Sequence, residues 1–536
     1  MSSPASRYAQ APEVQVAEGW HLERLTPPSR LFGANGLRTG PDGRLYVAQV
    51  SGSQVSAIDV DTGAIEVISA KGGDIVAPDD IAFDDDGNLY ATEITEGRIG
   101  MRSPDGRYRV ISDDVPVANP ITVHQGRLIV GECRPGGRIV ELDRNDGRAR
   151  IIASDVPMPN AFSVGPDGKL YFPVMGTNEI WRVDLAGGAP EKVAGDLGVP
   201  DSVKFDAQGF IVSTQVASGQ VLRIDPRNGE RTVLAQLSPG LDNCSFIGER
   251  LFVSNISGTV SEILADGRVR DVVADGFNWP LGLAVDADGS LYVADGAFSW
   301  RLRAGTPREC IGMLFAPGYP GYARGVACSA AGEFIITTAN GAVARYQPAR
   351  ASSEVIAEGF DQLYGVAVAP GGAVVFAEQG SGCVRVVTGA QVETLVSDLR
   401  APSGVAVDAE GRVYVSESAG GRVIRLVGGR AETVIDGLAQ PQGLAVHAGA
   451  LHVLDAGRKE LIRLPLAGGP REVLAAGLPV GAPPGVTPKV LGPIGTLSGP
   501  MGPFAGLAAG PDGRLYCSGD AEGSVLSLSP HRDAAR

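Results

Sequence analysis

Six short-chain oxygen donors recur at intervals of roughly 40 residues in the first half of the sequence: Asn35, Asp79, Asn119, Asn160, Asp201 and Asn243, with Asp80 and Asp242 flanking two of them. Each precedes a short apolar run, as in ANPITV, PNAFSV and PDSVKFD. Amides and carboxylates gathered without His or Cys are the donor set of a hard cation, Ca2+ first, with Mg2+ or Mn2+ as alternatives. Carboxylates crowded at one point repel one another unless a cation or protons compensate.

The second half lacks this set. Its corresponding positions are Leu281, Arg324, Tyr364, Ser403, Gln442 and Ala505, each followed by Gly. In the first half the following residue differs from repeat to repeat. One half is an unmodified repeat and the other has been individualised. Acids that end the second strand of a repeat (Glu93, Glu132, Asp295, Glu378, Glu417, Asp455) occur in both halves, so they read mainly as turn acceptors.

The elements that must position these residues are strands. PDGRLYVAQ (41–49), DDGNLYATE (85–93), PDGKLYFPV (166–174), ADGSLYVAD (287–295), AEGRVYVSE (409–417) and PDGRLYCSG (511–519) are variants of one phrase that recurs twelve times. The alternation within the runs has the period of half-buried strands, and the DG, EG and GG pairs supply the positive φ of tight hairpins. Such a repeat cannot bury its own faces, so blades must stack around an axis. The prediction is an all-β chain of two six-bladed β-propellers, twelve four-stranded blades, with five plus seven as the other count. Residues 1–30 form an N-terminal segment whose strand-like stretch 14–26 closes one of the rings, 31–276 the first propeller, and 277–536 the second. The Gly/Pro-rich insertion 476–503 is placed on the channel face of the second ring, as a lid, an interface loop or a tolerated insertion.

Composition bounds the partners. A net charge of −15 argues against nucleic acid and anionic membranes. The sequence has no signal-peptide core and no long apolar run, which predicts a cytoplasmic protein. Six scattered cysteines without CxxC spacing imply neither zinc nor a disulfide framework. The five histidines fall outside the expected channel mouths, which disfavours a Ser-His-Asp triad, and no phosphate-binding loop motif occurs.

Over roughly residues 30–275 the chain resembles the calcium-dependent six-bladed propellers of the senescence marker protein/gluconolactonase family, with the paraoxonases as relatives. The resemblance rests on Asn119 in ANPITV, Asn160 in PNAFSV, Asp201 in PDSVKFD and the segment LDNCSFIGERLFVSN (241–255), whose Asp242-Asn243 pair resembles a paraoxonase ligand pair. It implies a metal-dependent hydrolase of lactonase or esterase type, in which Asn160, Asp201, Asp242 and Asn243 hold the metal. The same resemblance implies that Asp201, or alternatively Asp79 or Glu132, takes a proton from the attacking water, and that Asn119, Asn35 and Glu93 contact a small-molecule substrate. The chain departs from the family at two places: Asn35 stands where the family has an acid, and Val117 stands about where it has a sugar-binding Arg. These departures leave a lyase, cyclase or isomerase of specialised metabolism, or a non-catalytic binding or scaffold protein, as alternatives. The streptogramin lyases are a second similar group, but they place His at the channel mouth. The second half resembles NHL-type repeats, with a structural or protein-binding role.

Overall fold

A computed structural model describes residues 5–8, 12–274, 276–330, 332–487 and 489–531. Apart from two short 3-10 turns, Met175–Thr177 and Pro348–Arg350, the described elements are strands, and no helix is long and apolar enough to cross a membrane. The strands form twelve antiparallel sheets: eleven of four strands and one of five. Six make a propeller from Leu31–Asp275 and six make a second one.

The recurring phrase has a physical cause at each letter. In PDGRLY, Asp42 Oδ1 accepts the Arg44 N–H at 3.1 Å, Gly43 takes φ +80, and Asp42 Oδ2 accepts the Tyr46 hydroxyl at 3.0 Å. Tyr90 to Asp84, Tyr171 to Asp167 and Tyr414 to Asp408 repeat this bond at 2.9–3.2 Å. The turn acid therefore fixes the hairpin and satisfies a tyrosine that packs between blades.

A second device spaces the blades around each axis. A hydroxyl near the end of a blade's second strand accepts the backbone N–H two residues into the first strand and donates to the mouth carbonyl of the next blade. Thr92 Oγ1 accepts from Asp80 N at 2.9 Å and donates to Asn119 O at 2.8 Å. Ser254 does the same between Asn243 N and Asn35 O, so sixth and first blades close the first ring. Thr337, Ser416 and Ser518 repeat the clasp in the second ring.

The two rings close differently. In the first, every blade is built from consecutive strands, and Leu31, Leu37 and Val47 of the first blade pack on Phe252, Val260 and Val273 of the sixth. In the second, the N-terminal strand Trp20–Arg24 pairs with Ser524–Pro530 and becomes the outer strand of the last blade. Gln15–Val16 adds a fifth strand beside Glu472–Ala476. The predicted ring-closing strand thus belongs to the second propeller, and residues 1–30 group with 276–490 and 497–536. The first propeller is inserted within the chain of the second.

The insertion 476–503 also divides. Residues 491–496 pack with the first propeller: Leu491 is buried, and a Cβ on Gly492 would meet Thr95 O at 2.7 Å. Residues 497–503 stay with the second propeller, where the sequence placed the whole segment.

Candidate functional site

The mouth of the first propeller is built by a repeated irregularity. Strand pairing skips two residues at the start of the inner strand, between Pro78 and Ile81, Ala118 and Ile121, and Leu241 and Cys244. Such bulges re-aim side chains that a regular ladder would bury between blades. The released pair in the second blade is Asp79 and Asp80, and in the sixth it is Asp242 and Asn243. Asp242, not Asn243, is therefore the sixth mouth residue. Asn243 lies one step further in, equivalent to Asp80; the sequence places it one residue out of register because two polar residues stand side by side.

Asn35, Asp79, Asn119, Asn160, Asp201 and Asp242 each retain between 4% and 9% exposure. Asn160 Nδ2 donates to Asp201 Oδ2 at 2.9 Å, and Asn35 Nδ2 to Asp242 Oδ2 at 3.1 Å. Deeper, Asn243 Nδ2 donates to Asp80 Oδ1 at 3.4 Å, and Arg38 Nη2 lies 3.6 Å from Asp80 Oδ2. Asp80 has its counter-ion. Among the described residues, no Lys, Arg or His lies within ion-pair distance of Asp79, Asp201 or Asp242.

Their titration follows from that. Burial, then the neighbouring Asp80, pushes the Asp79 carboxyl up to about 7. Burial raises Asp201 well above the usual carboxylate range, with Asp79 and Asp80 adding to it. Asp242 is raised by burial and then by Asp201 and Asp79. Asp79 and Asp80 act on both Asp201 and Asp242, while Lys204 pulls Asp201 the other way. The Cys133 thiol, also buried, is pushed up by burial and by these same three carboxylates.

Glu93 and Glu132 do not join the ring. Glu93 accepts the Val76 N–H, two bonds from Arg98 and the Tyr108 hydroxyl, on the outer strands of its blade. Glu132 is held by Arg134 and by Arg138, side chain and backbone. Charge-assisted bonds saturate both carboxylates, which removes Glu132 as a base and Glu93 as a substrate contact.

Two cations in the channel are absent from the sequence reading. Arg38 donates to Ile81 O at 2.9 Å and Ile121 O at 2.8 Å. Lys204 is 8% exposed, its Nζ has no hydrogen-bond partner, and burial lowers it to about 8. The signal for both exists in the sequence. In all six blades of the second ring the position three residues beyond the mouth is Ala: Ala284, Ala327, Ala367, Ala406, Ala445 and Ala508. In the first ring it includes Arg38 and Lys204.

The mouth offers oxygen donors of the kind a hard cation takes: three buried carboxylates outside ion-pair distance of any described Lys, Arg or His, and three amides. Among the described residues no three acidic, imidazole or thiol groups converge by themselves on one point, so amide oxygens must complete any coordination shell.

The sequence model of the SMP-30/Gluconolactonase/LRE-like region matches residues 23–257. No curated protein matches the chain. Among solved structures it is similar to a streptogramin B lyase (18% identity, 51% of this chain and 94% of the other, TM-score 0.38). It is similar also to virginiamycin B lyase from Staphylococcus aureus (17%, 52% and 96%, 0.37) and to a candidate gluconolactonase (17%, 48% and 95%, 0.38). The matched residues 23–257 contain all six mouth positions of the first propeller.

Proposed function

We propose that the first propeller is a metal-dependent hydrolase of lactonase or esterase type, acting on a small organic molecule at its channel mouth. The observation that carries this reading is the set of three buried carboxylates, Asp79, Asp201 and Asp242, none in ion-pair distance of a described cation, in a region that the SMP-30/Gluconolactonase/LRE-like model matches. Asn160, Asp201 and Asp242 would hold a divalent cation, Ca2+ before Mg2+ or Mn2+, with Asn243 beneath them. When bound, such a cation polarises a carbonyl oxygen and acidifies water.

The chain's own residues do the rest. Asp201, oriented by the Asn160 amide, accepts the proton of the attacking water, with Asp79 as the other candidate base. Asn119 and Asn35 present amides to the polar groups of the substrate. The Asp80–Arg38 pair lies deeper than the mouth and fixes the polar floor of the site.

A second reading, a lyase, cyclase or isomerase on the same ring, is favoured by one observation. Val117 stands at the mouth in a left-handed conformation (φ 53) where the family resemblance implies a sugar-binding Arg. An apolar side chain there disfavours a sugar lactone. Hydrolysis of simple aliphatic and aromatic lactones, measured with Ca2+ and with EDTA, tests the proposal. The expected result is chelator-sensitive turnover that falls 10²–10⁴-fold in Asp201→Asn. Absence of any lactone or ester hydrolysis in Ca2+-loaded protein would overturn it in favour of the second reading.

A further inference from the structure

The mouth of the second propeller holds a cation without a counter-ion. Arg324 is 1% exposed and is among the largest fully buried side chains of the protein. Its Nη2 donates to the carbonyl of Gly502, and its Nη1 is buried with no partner. The guanidinium carbon lies 4.9 Å from the Tyr364 ring centroid and 5.2 Å from that of Trp279. Among the described residues no carboxylate pairs with it. Asp295, the acid beside Trp279, is committed to the backbone N–H groups of Asn278 and Trp279 and to the Trp300 indole.

A buried guanidinium costs several kcal/mol unless its donors are matched, and two aromatic faces with one carbonyl match it only in part. The carbonyl comes from the last part of the insertion, and Phe504, the residue just after it, packs edge-on against Tyr364 with centroids 5.7 Å apart. Beneath Phe504 the channel is lined by glycines and by Val and Leu side chains, including Gly282, Val326 and Leu444, so it offers an anion no other donor side chain.

We propose that Arg324 is the receptor for a small organic carboxylate with an apolar body, and that the segment ending in Phe504 plugs this site in the free protein. The Gly502 carbonyl stands where one carboxylate oxygen would sit, and the free Nη1 would take the other. The planar fork of Arg suits a carboxylate bidentately. The apolar body would replace Phe504 against Tyr364. This site is independent of the reading of the first propeller.

Calorimetric titration of the full chain with benzoate and with hexanoate tests the assignment, with inorganic phosphate as the third probe. Saturable binding of a carboxylate is expected, lost in Arg324→Met, at least tenfold weaker in Arg324→Lys, and several-fold tighter in Phe504→Ala, where the plug is loosened. The Lys variant keeps the charge and loses the fork, so it reads the geometry even where Arg324→Met fails to fold. No saturable heat from either carboxylate with wild type and with Phe504→Ala, undiminished binding in Arg324→Lys, or phosphate binding in preference to both carboxylates would each overturn the proposal.

Discussion

Asp201 and its neighbours show how a side chain's meaning depends on what the fold puts opposite it. Asp80 and Asp79 are adjacent in sequence, yet one meets Arg38 at 3.6 Å while the other is raised by burial and by that neighbouring acid. The same contrast explains which candidates survive: Glu93 and Glu132 look equally acidic in the sequence but are spent on arginines. The arginines that capture them, Arg98 and Arg138, lie five and six residues downstream across hairpins whose register the sequence does not display. His452 offers a titration outside the site. It is 4% exposed, and burial first, then Arg463 and His447, lowers it to about 4. The unfolded chain therefore takes up a proton below about 6.5 that the native state refuses. Stability should fall as pH drops from about 6.5 towards 4, by up to about 3 kcal/mol from this residue. Denaturant midpoints in that window should decline less steeply for His452→Phe than for wild type; parallel slopes would remove His452 as a cause.

The blade is the element that was most readable. Tight-turn dipeptides, period-2 runs and the fixed repeat define four strands and a hairpin order, because local turn chemistry and burial both act within about 40 residues. The hydroxyl clasp was present in the sequence too, as the Thr or Ser in YATE, YVSE and YCSG, but its partners lie on the next blade. Removing one hydroxyl leaves a buried N–H and a buried carbonyl unmatched, a cost of about 1–3 kcal/mol. Thr92→Val, which keeps the shape, should lower the unfolding free energy by that amount in urea titration. A change below about 0.5 kcal/mol would show that the clasp is dispensable. The mouth register was misread in the sixth blade for a related reason. A bulge that releases two residues has no sequence mark when both, Asp242 and Asn243, are polar.

At the scale of the molecule, the repeat count gave two six-bladed rings, while their connectivity was not visible. Strand pairing between Trp20–Arg24 and Ser524–Pro530 spans about 500 residues, and an edge strand carries no label for its distant partner. The consequence is testable. With residues 12–24 deleted, the last blade loses its outer strand and the packing of Trp20 and Leu22 on Leu515 and Leu528. Hydrogen exchange should then accelerate in Leu515–Gly519 and Ser524–Pro530 while the strands of residues 31–275 keep their protection. Equal loss in both propellers would contradict independent closure. The asymmetry of the mouths belongs to this scale as well: one ring carries oxygen donors and channel cations, the other six glycines and six alanines. The two mouths have diverged: the first ring gathers oxygen donors, and the second holds one buried guanidinium, Arg324.

Whether the oxygens of the first mouth take up an ion decides what the first propeller does. Elemental analysis of full-length protein purified without chelator, after passage through buffer containing about 1 mM Ca2+ and removal of free ion, measures it directly. About one divalent cation per chain is expected, falling to background when Asp201 and Asp242 are both changed to Asn and unchanged in Arg324→Met. Background levels of cation in the wild-type protein, or full retention in the double variant, would contradict the claim.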